Sequence, residues 1–366
     1  MDKIILFIYL ALFPFGQLLK ISFFNASDVL AFIALIYIFL IKKEGLRVLK
    51  PFMGFLIIAL FSLLYSVFNF KSFDILIGLL YLLRFISYFY LYKLSFNIIK
   101  KDPKLKKLIF NSLLLVSFFV GVFGWIQYFY YPDLTSLKYL GWDDHLYRLA
   151  GTFLDPGFTS LIIVFGAIIS FIKKKYLFLM FFLTTLAFTY SRAGYVSLIA
   201  SLFVASFIFK RFRVFLISLV CLSVIIFLLP KPAGEGVNLT RTYSISSRII
   251  NYKETLQIFK KSPVFGIGYN NMCLGRKIYL NEEDTSSHSC SGSDSSLLLV
   301  LATTGIVGFV VFASMASKML LNSKKGYYNN VFLVLLSAVF VHSFFVNSLF
   351  YSWIMGYLAI SASLKE

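Results

Sequence analysis

The sequence contains few charged residues, and few of those are acidic. Charged side chains make up 14% of its 366 residues, where an ordinary soluble domain carries about 25%. Cysteine is also scarce, at 3 residues, which is too few to staple a small secreted domain. Apolar residues instead make up 59% of the chain. This composition excludes a soluble enzyme, a disordered chain and a disulfide-stapled domain, and it predicts an integral membrane protein.

Basic residues outnumber acidic residues by 35 to 16. In a membrane protein such an excess first indicates basic loops on the cytoplasmic side, so we expect no nucleic-acid partner. No small-residue cleavage site follows the first apolar stretch. We therefore interpret that stretch as a span and not as a cleavable signal peptide.

About twelve apolar stretches approach the length of about 20 residues that crosses a bilayer. They predict an all-α polytopic fold in which residues 1–366 form a single integral membrane domain. The predicted spans are residues 4–20, 27–42, 52–69, 73–98, 107–130, 154–172, 175–190, 193–209, 213–229, 296–317, 328–345 and 347–363.

Every second connection between these spans is rich in Lys and Arg. The basic connections are residues 42–50, 100–107, 173–175, 210–213 and 318–325. Because basic loops stay in the cytoplasm, both termini are expected there. The connections at 131–153 and 231–295 then face outward, and the second is a large outer loop that holds most of the polar chemistry of the chain.

One segment of the large outer loop has the periodicity of an amphipathic helix. Its apolar residues recur at steps of four and three, which is one helical face. Ser246 or Ser247 could cap this helix, and Pro263, followed by Gly266 and Gly268, would end it. We expect the helix to lie on the outer membrane–water boundary. The apolar residues are Ile245, Ile249, Tyr252, Leu256 and Phe259.

Four arginines are candidates for binding an anionic substrate. Arg248 lies on the amphipathic segment, residues 244–261, and Arg241 lies two turns earlier; for this basic helix, contact with lipid phosphates is the alternative. Arg192 lies in a tight turn at the outer end of two spans, and its alternative is a snorkelling role. Arg84 lies deep within the fourth span, where a structural ion pair, for example with Asp74, is as plausible as a substrate contact.

Two residues before the tenth span could take a proton from a hydroxyl group, namely His288 and Asp294. For Asp294 or Ser295, capping the following helix is the alternative role. His145, with Asp143 and Asp144 beside it, lies in the smaller outer loop without a supporting motif and ranks lower.

Metal and cofactor motifs are not recognisable. Three scattered histidines and the absence of paired cysteines predict no metal site, and we expect no cofactor. Gly266 and Gly268 lack the strand, the third glycine and the lysine of a phosphate-binding loop. Cys273 and Cys290 share the large outer loop and could form a disulfide in an oxidising compartment.

The order of short motifs in the second half of the chain resembles the O-antigen polymerase and O-antigen ligase superfamily of bacterial inner-membrane glycosyltransferases. The resemblance covers about residues 150–310. Its elements are Gly-Thr-Phe-Leu-Asp-Pro at 151–156, Ser-Arg-Ala-Gly at 191–194, an arginine-bearing helix followed by Pro-Val-Phe-Gly-Ile-Gly at 263–268, and Gly-Ile-Val-Gly at 305–308.

The resemblance implies a reaction at the outer face of the cytoplasmic membrane. Family members transfer a glycan from undecaprenyl diphosphate to an acceptor hydroxyl, generally with inversion and without a metal. Arg192 and Arg248 occupy the arginine positions of the family and would bind the diphosphate. Ligases tend to place His-Asn about eleven residues before the Gly-x-x-Gly motif, whereas this chain has Asp294 and Ser295 there. That departure is similar to polymerases and leaves the base open between Asp294 and His288.

Three functions compete. The first is a polymerase that transfers the glycan to the next lipid-linked repeat unit, with a chain-length regulator protein as a candidate partner. The second is a ligase that transfers the glycan to lipid A-core or another surface acceptor. The third is a polysaccharide transporter or flippase, which the absence of an evident internal repeat disfavours. Arg84 is the residue that best suits transport.

Overall fold

A computed structural model of the chain describes residues 1–21, 24–70, 72–140, 142–230, 232, 234–282, 290, 292–321 and 326–365. Their secondary structure is almost entirely helical, because a chain inside a bilayer must satisfy its backbone hydrogen bonds within each segment. Extended structure among these residues is limited to a two-residue antiparallel pair, β1 (Lys20–Ile21) with β2 (Phe24–Asn25), and an isolated bridge between Asp133 and Leu146.

The described residues contain fourteen α-helices. In chain order they are α1 (Asp2–Leu12), α2 (Ala26–Ile36), α3 (Met53–Tyr65), α4 (Ser72–Lys101), α5 (Leu105–Tyr130), α6 (Pro156–Lys173), α7 (Tyr176–Phe188), α8 (Arg192–Ile208), α9 (Phe212–Phe227), α10 (Tyr243–Lys261), α11 (Met272–Tyr279), α12 (Ser296–Leu321), α13 (Tyr327–His342) and α14 (Ser352–Ser363).

Each predicted span coincides with an apolar helix. Within the described residues, six helical segments are long and apolar enough to cross a membrane, and several shorter apolar helices accompany them. The chain is therefore a helical polytopic membrane protein. The number of crossings stays a prediction, because helices such as α7 and α14 are shorter than the thickness of the hydrocarbon core.

Helix α6 is the centre of the bundle. Its membrane-length window is 83% buried, against 33–50% for the other long segments. It packs against α5, α7, α8 and α13. Asp155 caps its first turn by accepting a hydrogen bond from the Phe158 N–H at 2.9 Å. The residues that flank this N-terminus are consequently held in place by the most enclosed helix of the fold.

Two of the five basic connections, 173–175 and 210–213, lie together at one end of the bundle. Lys174, Lys210, Arg211 and Arg213 line a single cavity of about 780 Å³ between the C-terminal end of α6 and the α8–α9 connection. Helix α6 begins next to the smaller polar loop, so that loop lies at the opposite end of α6. The side of the membrane that each end faces stays a prediction.

Two glycine motifs that are distant in sequence form one interlocked unit. Helix α12 is broken at Gly305, whose φ of 68° favours glycine. The turn after α10 enters this break, where the N–H groups of Ile267 and Gly268 donate to the carbonyls of Ala302 and Thr303, both at 3.1 Å. In return the Ile306 N–H donates to the Pro263 carbonyl at 2.9 Å. The pairing satisfies backbone groups that the break frees from the helix.

The structure corrects two local predictions. Neither Ser246 nor Ser247 caps α10, because the helix already begins at Tyr243, with Thr242 as its flanking residue. The boundary predicted between residues 345 and 347 lies within the observed connection, but this connection is longer than predicted: α13 ends at His342 and residues 343–351 are not α-helical. That segment instead serves as a partner for the start of α12, as described below.

We predict that Gly305→Ala destabilises the protein. A β-carbon at Gly305 would lie 2.2 Å from the Val264 carbonyl oxygen. Such overpacking costs about 1–3 kcal/mol, and the positive φ adds strain. The melting temperature of the detergent-solubilised protein should fall by several degrees. Gly326→Ala is the matched control, because a β-carbon added there would meet no atom within 4 Å; an equal loss in that variant would contradict the interlock.

Candidate functional site

Arg192 ties the α7–α8 turn to the start of the large outer loop. Ser191 caps α8 by accepting a hydrogen bond from the Gly194 N–H at 3.2 Å, so Arg192 is the first helical residue. Its guanidinium donates to the Arg241 carbonyl at 3.0 Å and to the Ser244 hydroxyl. The contacts are to protein groups at the loop, so the purely snorkelling alternative does not describe this residue.

Two further arginines converge on the same turn. Arg148 donates to the Thr189 carbonyl at 3.1 Å and to the Tyr190 carbonyl at 3.4 Å. Arg241 donates to the Tyr190 carbonyl at 3.4 Å and, within its own loop, to the Gly236 carbonyl at 2.7 Å. The two outer loops therefore meet over one turn, and guanidinium groups hold them there.

The arginines repel one another. Burial, with the neighbouring charge of Arg241, lowers the pKa of Arg148 to about 10. Burial and the charges of Arg192 and Arg248 likewise lower the pKa of Arg241. Guanidinium groups nevertheless stay cationic at neutral pH, and in the described part of the chain none of these four forms an ion pair with a carboxylate. The result is a concentration of positive charge without direct ion pairs to the described carboxylates.

Arg248 stands apart within this cluster. It lies on α10, is partly exposed, and its guanidinium donates no hydrogen bond to any described residue. Its charge nevertheless acts on Arg148, Asp155 and Asp294. A guanidinium with five free donors, facing groups from both outer loops, is available to bind an external anion.

Asp294 lies close enough to Arg248 for the charge of the arginine to act on its carboxylate. Its backbone N–H donates to the Asn251 side-chain oxygen at 2.9 Å, which attaches it to α10. Ser295 accepts a hydrogen bond from the Leu298 N–H at 3.4 Å, so the capping role falls to Ser295. Burial raises the pKa of Asp294, and the charge of Arg248 opposes that shift. The carboxylate is thus a potential base that the capping of α12 does not use.

The non-helical residues 343–351 contact both the start of α12 and α10. The Ser343 carbonyl accepts a hydrogen bond from the Ser296 N–H at 2.9 Å, and the Leu349 N–H donates to the Ser296 hydroxyl at 3.1 Å. The Phe344 carbonyl accepts a hydrogen bond from the Tyr252 hydroxyl of α10. The start of α12 and the arginine-bearing helix therefore share one support.

The smaller outer loop and the start of α6 together place three acid–base groups beside the arginines. Asp143, His145 and Asp155 lie with their side-chain ligand atoms within 4.8 Å of one another. Burial, with the charge of Asp155, raises the pKa of Asp143, and burial also raises the pKa of Asp155. Burial and the charge of Arg148 lower the pKa of His145, so its ring is neutral at pH 7.

Four predicted site residues are thus brought together, and two are not. Arg192, Arg241, Arg248 and Asp294 surround one region, whereas His288 lies outside the described residues. Sequence reasoning did not select Arg148. Its position three residues before the Gly-Thr-Phe element was the available signal, because that element leads into the start of α6.

Arg84 is separate from the cluster. Its guanidinium lies 3.0 Å from the Asp28 carboxylate of α2 and over the Tyr81 ring, 4.8 Å from the centroid. The Tyr88 hydroxyl also donates to Asp28, at 2.9 Å. The Asp74 side chain lies outside the described side chains, and the observed partner comes from a different helix. This arrangement favours the structural alternative for Arg84.

Cys273 and Cys290 form a disulfide, as their shared loop made feasible. The bond attaches α11 to the segment that precedes α12. On the same helix Arg276 lies 3.1 Å from the Glu254 carboxylate of α10. Helices α10 and α11 and the start of α12 are therefore cross-linked around the candidate site.

The fold and site together define a helical membrane protein that presents a cationic site between its polar loops. Residues 176–313 match the family model described as O-antigen ligase. This match supports the resemblance to the O-antigen polymerase and ligase superfamily. The matched region includes Arg192, Arg241, Arg248 and Asp294, whereas Arg148 precedes it. Among curated proteins no match is found.

We predict that removing the disulfide loosens the site. The bond closes a separation of 17 residues, and closing a loop of that size stabilises a protein by about 3 kcal/mol. The double variant Cys273→Ser, Cys290→Ser should melt several degrees lower, as measured by thermal unfolding in detergent. Cys221→Ser, which removes a free cysteine, is the control. Identical melting of the two variants would mean that the bond contributes no stability.

Proposed function

We propose that the protein is a polysaccharide repeat-unit polymerase. It would transfer a glycan from undecaprenyl diphosphate to a hydroxyl group of another lipid-linked repeat unit, at the outer face of the cytoplasmic membrane. The observation that carries this proposal is the cluster of four arginines without a carboxylate partner in the described structure, placed next to Asp294. A lipid diphosphate is a leaving group that such a cluster would bind.

Arg248 is the proposed principal ligand of the diphosphate. When the glycosidic bond to the lipid breaks, negative charge develops on the leaving phosphate oxygen, and a preorganised guanidinium stabilises that charge. Arg148, Arg192 and Arg241 already donate to backbone carbonyls or to Ser244. Their proposed role is to fix the loops and to add positive potential, while Arg248 makes the direct contact.

Asp294 is the proposed general base. In an inverting transfer the acceptor oxygen attacks the anomeric carbon from the face opposite the diphosphate, and the hydroxyl proton passes to the base. Asp294 lies near Arg248. Ser295 caps α12, so the carboxylate of Asp294 is available to accept a proton. His288 remains the alternative base.

The second candidate function is ligation, and the description of the matching family favours it. A ligase would use the same donor site and transfer the glycan to lipid A-core or another surface acceptor. Asp294 stands where ligases tend to have His-Asn, and for this reason we place polymerisation first. Arg84 is the residue that best suited a transporter, but its guanidinium pairs with the Asp28 carboxylate. This ion pair disfavours the transport function.

Deleting the gene in its own host tests the proposed function directly. Surface glycan reduced to one anchored repeat unit is the expected result on a gel. Full-length polymer left on the lipid carrier would instead indicate a ligase, and an unchanged glycan profile would contradict both enzymatic functions.

Complementation of that deletion with arginine variants tests the site. Arg248→Ala should lower transfer by about 100-fold or more, as removal of a transition-state donor does, with an unchanged melting temperature. Arg248→Lys should also be poor, because Lys lacks the two-pronged contact. Arg192→Ala should lower both transfer and stability, since it removes loop contacts. Arg213→Ala, at the basic end, is the control; full transfer by Arg248→Ala would remove that residue from the site.

Replacing the base tests the acid–base assignment. Asp294→Asn should abolish most transfer at every pH. In the wild type, transfer should fall as the pH is lowered, because the base must be ionised, and the fall should begin above the usual aspartate pKa of about 3.9 because burial raises the pKa of Asp294. Rates of polymer formation across pH, with His288→Ala alongside, provide the measurement. Near-wild-type rates for both variants would mean that another group accepts the proton.

A further inference from the structure

Three metal-ligating side chains meet in the smaller outer loop, although they come from two structural elements. Asp143 and His145 belong to the loop itself, and Asp155 is the residue that caps α6. The carboxylate oxygens and the imidazole nitrogens lie within 4.8 Å of one another. Sequence spacing did not predict this grouping, because the expectation of no metal site rested on cysteine and histidine patterns.

His145 is buried without a hydrogen-bond partner. The residue is 7% exposed, and neither ring nitrogen has a partner among the described residues. Nearly all buried polar side-chain atoms in proteins are paired, and leaving one unpaired costs about 1–3 kcal/mol. A metal ion would satisfy the imidazole here, and the groups beside it are two carboxylates.

The carboxylates themselves lack a compensating cation. Neither Asp143 nor Asp155 forms an ion pair with a described residue. Arg148 is the nearest cation that acts on both, but its guanidinium donates to the carbonyls of Thr189 and Tyr190 instead. Two carboxylates and an imidazole in one place supply the oxygen and nitrogen ligands that a divalent metal ion takes.

Hydrogen bonds to the backbone hold two of the three groups, His145 and Asp155, before any ion binds. The His145 carbonyl accepts a hydrogen bond from the Leu134 N–H at 2.9 Å, and the Tyr147 N–H donates to the Pro132 carbonyl at 2.8 Å. One oxygen of Asp155 is held by the Phe158 N–H, which leaves the other oxygen free. Ligands held in this way need little reorganisation to bind.

We propose that Asp143, His145 and Asp155 bind a divalent metal ion. One imidazole and two carboxylates suit Zn²⁺ or Mn²⁺, which take nitrogen and oxygen ligands together. The ion would attach the smaller outer loop to the start of α6, next to Arg148, and so hold that arginine over the α7–α8 turn. Its role is structural, and the proposal does not depend on the proposed function.

Metal binding by the full-length protein tests this proposal. The protein is purified in detergent through a tag without histidines, stripped with EDTA, and titrated with ZnCl₂, MnCl₂ and CaCl₂. We expect about one Zn²⁺ or Mn²⁺ per chain by elemental analysis, in line with a three-ligand site. Bound Mn²⁺ would also change its electron paramagnetic resonance spectrum. Absence of saturable Zn²⁺ and Mn²⁺ binding by the wild type would overturn the proposal, and so would binding of Ca²⁺ alone.

Variants locate the ion. Asp143→Asn and His145→Ala should each weaken Zn²⁺ binding by about 100-fold or more, since even outer-shell groups are worth 10–100-fold. Asp144→Asn is the matched control: it removes the adjacent carboxylate, which pairs with Lys138 at 3.2 Å, and should leave affinity within about twofold. If His145→Ala does not fold, Asp143→Asn still tests the site, because Asp143 is exposed and its substitution should not prevent folding. Equal losses in the Asp143 and Asp144 variants would place the ion elsewhere.

Discussion

The break in α12 is the constraint on which the rest of the site depends. A membrane helix that stops hydrogen bonding must recover those bonds from another part of the protein. Here the turn at 263–268 supplies them, and only glycine fits at Gly305, where the two backbones touch. Because this turn directly follows α10, the position of the arginine-bearing helix relative to the start of α12 is set by backbone contacts. Arg248 and Asp294 become neighbours as a result.

The local concentration of positive charge then determines what kind of ligand the site can bind. Arginines from both outer loops and from the α7–α8 turn lie close enough to lower the pKa of one another, and none of them forms a direct ion pair with a described carboxylate. Most proteins avoid such clusters, because like charges in a partly buried region oppose each other. The chain tolerates the cluster because three of the guanidinium groups donate to backbone carbonyls. Arg248 is left with its full hydrogen-bonding capacity for a ligand.

Much of the architecture could be predicted from hydropathy. The length of an apolar segment and the Lys and Arg content of a connection can both be read directly along the sequence. The positions of the spans, α10 and its end at Pro263 followed directly. The site could be predicted only where a motif marked a residue, as for Arg192 and Arg248. Arg148 and the Asp28 partner of Arg84 could not, because contacts between distant helices leave no local pattern. The end of α13 was misplaced for a related reason: residues 343–351 remain rich in apolar residues, yet their backbone pairs with Ser296.

The support beneath the site has a consequence for biosynthesis. Ser296 is held by Ser343 and Leu349, and Tyr252 by Phe344. These partners lie roughly 50 to 90 residues further along the chain. A ribosome that has delivered the arginines and Asp294 to the membrane has therefore not yet delivered the contacts that hold Ser296 and Tyr252. The start of α12 and the arginine-bearing helix gain this part of their support only after the last helices have been synthesised.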